Sequence, residues 1–301
     1  MTFLSIVVPT RNRANLLRDC VESLLGQDLP VDQYEIIVVD DGSTDETAAV
    51  IGSIQIRNDR RALRYVPAKG RGLTVARNSG LLAARGDPIV FVDDDALPSR
   101  SWLKAVLEGT LRHPEAGCLG GPVRLRLEGK PPRFCERDQL GDSQLDLGTL
   151  EREVDFICGA NMALRRGAIQ EVGMFNEALA AVGDEIEWQS RLSRVGMPIF
   201  YLPEAWVWHR RTADDLRLWH LLKARFQRGT EAVLYGRVLG KRMTVVGELV
   251  TIPRFVAHAL LRWCAGGLLS ASAAGGRIWG LIREHSSNKA EPVLSSPKVL
   301  E

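Results

Sequence analysis

Cysteine is scarce in this chain. The five present (Cys20, Cys118, Cys135, Cys158 and Cys264) are odd in number and scattered, with no CxxC spacing. That argues against a disulfide or zinc framework and for a reducing compartment. Long apolar runs are also missing. The 14 residues between Arg262 and Arg277 fall short of the roughly 20 that a spanning helix needs. The start, MTFLSIVVPT, lacks a basic n-region and its apolar run stops at Pro9, which predicts a buried strand rather than a signal peptide. No GxGxxG follows that strand, excluding a nicotinamide-type dinucleotide site. No fixed period recurs, which excludes a solenoid.

A dominant charge is absent too. The net charge is +2, but Arg210 to Glu284 holds thirteen Lys/Arg against five Asp/Glu, so the rest of the chain sums to −6. A mildly acidic body with a basic C-terminal segment is not a nucleic-acid footprint. It fits an anionic membrane surface or a phosphorylated lipid.

What is present is organised around PIVFVDDDALP, Pro88 to Pro98. Ile89 to Val92 reads as a buried strand, because an amphipathic helix would interleave polar positions. It ends in Asp93, Asp94 and Asp95, three acids that repel one another unless a cation or hydrogen-bond donors lie between them. The stretch by itself is equally a solvated acidic turn or a metal-assisted phosphate site. Earlier strands are expected at Ser5 to Val8, Glu35 to Val39 and Leu63 to Val66, each followed by a helical pattern. Asn12 is the expected cap of the first helix, and Ser43 with Glu46 makes a capping box for the second. The β-α-β-α alternation implies an α/β fold with a mostly parallel sheet flanked by helices. GCLGGPVRLRL, Val154 to Leu164 and Ile199 to His209 read as further strands, and Glu128 to Glu153 as a surface excursion. Beyond Arg210 the texture is helical and basic, with an interfacial helix or a helix pair packed on the body as the two readings of the apolar stretch. Three acidic clusters (Asp40-Asp41, Asp93-Asp94-Asp95 and Asp184-Glu185) all fall at strand tips or helix starts. A parallel sheet gathers such tips along one edge, where ligands bind.

SIVVPTRNR, IIVVDDGSTDET, GLTVARNSGL, FVDDDALP, ICGANMALRR, GDEIEWQSRLSRVG and PEAWVWH together resemble, in order, the signature of a family-2 glycosyltransferase with the GT-A fold. The likeness runs from about Thr2 to His209. It implies a catalytic domain over 1–209 (nucleotide-binding half 1–98, acceptor-side half 99–209); beyond it, composition predicts a basic helical extension over 210–285 and a disordered tail over 286–301. The likeness also implies an inverting transfer from a UDP- or dTDP-linked sugar to the hydroxyl of a saccharide or lipid-linked acceptor, in cell-surface glycan or glycolipid synthesis. The location it suggests is cytoplasmic, peripheral on the cytoplasmic membrane face.

By the same resemblance, Pro9, Thr10, Arg11, Asp41, Arg77, Asp93 and Asp94 would hold the nucleotide-sugar. Asp93, Asp95 and His209 would hold a divalent cation, Mn²⁺ or Mg²⁺, which suits oxygen-rich ligands. Strand alternation turns Asp94 away from its neighbours, so of the three acids it is the one not expected on the metal. Glu185 and Asp184 stand where the family has its catalytic base, in reversed order (Asp-Glu for Glu-Asp), which leaves the base open between them. Gly159, Asn161 and Trp188 would meet the donor sugar or acceptor. The reversed pair also keeps open an inactive nucleotide-sugar-binding module.

Overall fold

A computed structural model describes residues 3–57, 63–135, 144–179, 183–238, 240 and 243–287. The N-terminal half alternates strictly: β1 (Leu4–Thr10), α1 (Ala14–Leu25), β2 (Tyr34–Asp40), α2 (Thr47–Arg57), β3 (Leu63–Pro67), α3 (Leu73–Ala83) and β4 (Ile89–Val92). There follow β5 (Ala96–Pro98), α4 (Trp102–Arg112), β6 (Cys118–Gly120), β7 (Val123–Leu127), β8 (Arg152–Glu153) and β9 (Asn161–Leu164). Then come α5 (Arg166–Val172), α6 (Asp184–Arg194), β10 (Ile199–Tyr201) and β11 (Val207–Arg211). Three helices end the described chain: α7 (Leu218–Val238), α8 (Val245–Arg262) and α9 (Ala265–Ser287).

The main sheet has the order β3-β2-β1-β4-β9-β6-β10-β8, and β5-β11-β7 form a second, smaller sheet. β1 runs parallel to β2 and β4, and β2 parallel to β3. β9 enters antiparallel between β4 and β6, so the sheet is mixed, with its parallel character concentrated in the N-terminal half. Side-chain alternation explains why both faces are covered. Leu4, Ile6 and Val8 pack with Leu17, Val21, Ile51 and Trp102 from α1, α2 and α4. Val7, with Ile37 and Phe91 beside it, packs against Ala76, Ile169 and Trp188 from α3, α5 and α6.

Several local expectations change. GCLGGPVRLRL is not one strand but two, β6 and β7, in different sheets. Ile199 to His209 likewise splits into β10 and β11, and only Asn161–Leu164 of the Val154 to Leu164 stretch is extended pairing. Asn12 does not cap α1. It sits at φ 54° and its side chain accepts from the Thr44 backbone N–H at 2.7 Å. Ser43 instead donates to Asp40. Asp45 serves both helix starts, accepting from the Ala14 N–H and the Thr47 N–H, each at 3.1 Å. A short acid between two helix N-termini satisfies orphan donors of both and meets both dipoles. Within the 128–153 excursion, residues 136–143 lie outside the described residues, as do residues 288–301 of the expected tail; residues 286–287 belong to α9.

The C-terminal helices form a layer of their own. The stretch between Arg262 and Arg277 becomes the first half of α9, with Leu269 and Ala274 buried. α9 packs tightly along α7: a Cβ on Gly276 would collide with the Phe226 backbone. Arg277 pairs with Glu248 of α8 at 2.8 Å. The widest apolar stripe left open is on α8, although Trp219 of α7 and Trp279 and Ile282 of α9 are exposed as well. Val246, Leu249, Val250, Leu260 and Leu261 are exposed, Leu261 by 81%. Their spacing puts them on one helical stripe.

Candidate active site

The parallel register brings Thr10, Asp40 and the residue after Val92 to one edge of the sheet. A cleft of about 230 Å³ opens there, lined by Pro9, Thr10, Arg11, Asp41, Asp93 and Asp94 among others. Arg11 is half exposed, its Nη1 3.4 Å from Asp41 Oδ2. The other Asp41 oxygen accepts from the Gly72 N–H at 2.9 Å, which ties the β2 tip to the start of α3.

The acidic triplet divides its work. Asp94 is buried, accepts from the Thr10 hydroxyl at 2.7 Å and from Arg13 at 3.1 Å, and so fastens the tip of β1 to the turn. Burial pushes its carboxyl up to about 6, against the pull of Arg13. Asp93 and Asp95 face the other way with His209, and one ligand atom from each lies within 4.8 Å of the others. His209 comes from β11, and its pairing with Ala96 in the second sheet delivers it beside Asp95. His209 Nε2 is 2.8 Å from Asp95 Oδ1 and 3.9 Å from Asp93 Oδ2. Asp95 Oδ1 is buried yet makes no hydrogen bond of acceptable geometry, while Arg13 occupies Oδ2 at 2.7 Å. Burial alone would raise the Asp95 carboxyl, but His209, Arg13 and Arg211 hold it well below the usual carboxylate range. Two carboxylates and an imidazole converging on one point form a donor set that fits Mn²⁺ or Mg²⁺.

Behind the triplet lies Arg77 on α3, 3% exposed. It donates to Asp184 Oδ2 at 2.6 Å. It also lies 3.7 Å from Glu185 Oε2 and 3.9 Å from Asp93 Oδ1. Gly159 makes room for it, since a Cβ there would come within 2.7 Å of the guanidinium. Asp184 is fully buried. Burial opposes its charge, but Arg77 together with hydrogen bonds from Glu185 outweighs burial and lowers its pKa. Glu185, one residue on, keeps 20% of its side chain exposed. Burial, aided by the neighbouring Asp184 and opposed by Arg77, pushes Glu185 up to about 7. The turn that presents the pair depends on Gly183, which has φ 84° and packs against the Tyr235 ring of α7.

Two expected site residues are placed elsewhere. Trp188 is fully buried, its indole N–H donating to the Gly173 carbonyl at 2.8 Å and its ring beside Phe175. It has no face to offer a sugar. Asn161 is also buried: it accepts from the Trp102 indole at 2.8 Å and donates to the Pro122 and Ala205 carbonyls. Its side chain is spent on cross-linking the two sheets. In the other direction, Arg13, Arg211 and Tyr235 belong to the site's surroundings and escaped sequence reading. The SIVVPTRNR stretch contains Arg13 and could have signalled it. Arg211 and Tyr235 carry no local signal, because only the β11 register and the docking of α7 bring them in.

The family model described as "Glycosyl transferase family 2" matches residues 5–173. The protein belongs to glycosyl transferase family 2. This family member is 31% identical over 287 residues to the pre-mycofactocin glycosyltransferase of Mycobacterium tuberculosis, covering 93% of this chain and 55% of that relative. The chain thus spans little more than half the length of that curated relative. Glycosyltransferase AglE of Haloferax volcanii is 22% identical over 286 residues, covering 88% of this chain and 92% of AglE. Among solved structures, the mannosyltransferase PcManGT from Pyrobaculum calidifontis, in complex with GDP-Man and Mn²⁺, superposes with a TM-score of 0.60 at 21% identity. The match covers 95% of this chain and 80% of PcManGT. At that identity the likeness shows the fold, the GT-A architecture with its central sheet and flanking helices.

Proposed function

We propose that this family-2 member is an inverting, cation-dependent glycosyltransferase that moves a sugar from a UDP- or dTDP-linked donor to an acceptor hydroxyl. One observation carries the reading. Arg77 joins the acids at the sheet edge to the Asp184-Glu185 pair, so a single buried guanidinium sets the distance between a diphosphate-binding group and a proton acceptor. Asp184, fully buried and salt-bridged, is a positioning residue; Glu185, partly exposed and with its carboxyl raised, is the base. Glu185 takes the proton of the acceptor hydroxyl as that oxygen bonds to the anomeric carbon. The carbon–oxygen bond to the diphosphate breaks in line, and the electron pair leaves with the diphosphate. Arg11 stacks on the nucleobase and Asp41 accepts its ring N–H. A divalent cation held by Asp93, Asp95 and His209 would offset charge on the leaving diphosphate.

The donor site is tested by thermal unfolding with UDP, dTDP and GDP, each with and without Mn²⁺. UDP or dTDP should stabilise the protein, by about 2.7 kcal/mol at a hundred times Kd, and the shift should need Mn²⁺. In Asp95→Ala the Mn²⁺-dependent part should vanish. A shift indifferent to metal, or a preference for GDP, would count against the assignment.

The C-terminal helices bring the enzyme to the cytoplasmic face of an anionic membrane, where lipid-linked acceptors are found. Among the described residues no helix is long and apolar enough to cross a membrane. The exposed α8 stripe, with Arg254 and Arg262 beside it and Trp263 79% exposed at its end, is suited to lying in the headgroup region. Sedimentation with vesicles containing anionic lipid should capture the full-length protein. Leu249→Glu combined with Leu261→Glu should release it into the supernatant without lowering its unfolding temperature. Equal recovery of both proteins in the supernatant would dismiss the membrane role.

A further inference from the structure

The sequence pattern argued against a zinc framework because no two cysteines are close in the chain. The fold changes that. Cys135, which follows the β7 strand in the 128–135 loop, and Cys264, at the corner between α8 and α9, are 129 residues apart and meet in space. His258 of α8 joins them. One ligand atom from each of the three lies within 4.8 Å of the others, and Cys135 Sγ is 3.4 Å from His258 Nε2.

We propose that Cys135, His258 and Cys264 form a zinc site, separate from the acidic site at the sheet edge. Three features support it. First, tetrahedral zinc with Zn–S near 2.3 Å and Zn–N near 2.0 Å places a sulfur and a nitrogen ligand about 3.5 Å apart, and the Cys135–His258 separation matches. Second, the Cys135 backbone N–H donates to Cys264 Sγ at 3.1 Å. A backbone donor aimed at sulfur stabilises a thiolate, and outer contacts of this kind orient and tune metal ligands. Third, the corner is built to hold the geometry. Trp263 adopts a left-handed conformation at φ 48°, and the next two N–H groups are both engaged, Cys264 to the Ala259 carbonyl at 3.2 Å and Ala265 to the Arg133 carbonyl at 2.8 Å. The strand-following loop and the helix corner are thereby registered against each other before any metal binds.

Thiolate and imidazole ligands select a borderline-soft ion such as zinc over magnesium or manganese. Cys135 and His258 are only half buried, so water completes the coordination. The site would work as a staple. It ties the α8–α9 corner to the catalytic body at the loop after β7, and thereby fixes how the exposed stripe of α8 is presented.

The test uses the full-length protein, purified under reducing conditions without chelator. Elemental analysis should find about one zinc per chain. Exchange into Co²⁺ should give a thiolate-to-cobalt charge-transfer band, which carboxylates and imidazole cannot produce. Cys135→Ser and Cys264→Ser should each weaken the band and release the zinc, while Asp95→Asn should retain both. Stripping zinc from the wild type should lower its unfolding temperature, with recovery on adding zinc back. The proposal is overturned by reduced wild-type protein that holds no zinc and gives no such band. A band that survives both cysteine substitutions overturns it equally, and so does a native protein with Cys135 and Cys264 joined as a disulfide.

Discussion

Glu185→Gln should lower the rate of sugar transfer by about 10²–10⁴, the usual contribution of a positioned general base, with donor binding intact. The amide is nearly isosteric and keeps the contacts of the α6 N-terminus, so the loss reports proton transfer. The pH profile gives an independent reading. Glu185 is pushed up to about 7 and works as a base only when deprotonated. In the wild type, kcat/KM should therefore rise with pH through about 7 and level off above it. In the Gln variant that limb should be gone. Asp184→Asn separates the two acids. Asp184 touches no solvent and acts through Arg77, so its replacement should lower activity by less while leaving the rising limb in place at a shifted pH. Full transfer activity in Glu185→Gln would place the base elsewhere.

Arg77→Met should cost both stability and activity. Removing one partner of a buried ion pair strands the other charge, at about 3–5 kcal/mol. Asp184 is that partner, and Phe175, whose ring the guanidinium overlies at 5.9 Å, would lose part of its packing. Urea unfolding should show the midpoint falling with an unchanged slope. The double variant Arg77→Met/Asp184→Leu removes both charges, and much of the stability should return. Activity should not, because Glu185 and Asp93 then lack the group that spaces them. If the double variant regains activity along with stability, Arg77 is structural only.

These two residues also mark how far sequence reading reached. The N-terminal alternation, the apolar strands and the acids at their tips were legible because each is a local pattern. Period-2 burial and short strand-to-helix turns are written in consecutive residues. The acidic clusters and Asp41 therefore fell into place along one edge. Trp188 and Asn161 were misread for the converse reason. An aromatic one turn after an acid, or an amide at a strand start, has the same local appearance whether it faces a ligand or a core. Burial decides that, and burial depends on elements far away in sequence. The same holds for the difference in burial between Asp184 and Glu185, which adjacent positions cannot reveal.

By itself, then, the sequence determined an α/β body with acids gathered at the carboxyl ends of its strands and a basic helical end. Its ordered motifs carried the family resemblance. The tertiary structure alone decided which acid of each cluster faces the cleft, because that follows from packing against Arg13, Arg77 and β11. It also decided that the widest open apolar stripe belongs to α8 rather than to the apolar first half of α9, since that half is packed closely against α7. It alone brought Cys135 and Cys264 together, because a contact across 129 residues has no signature in local spacing.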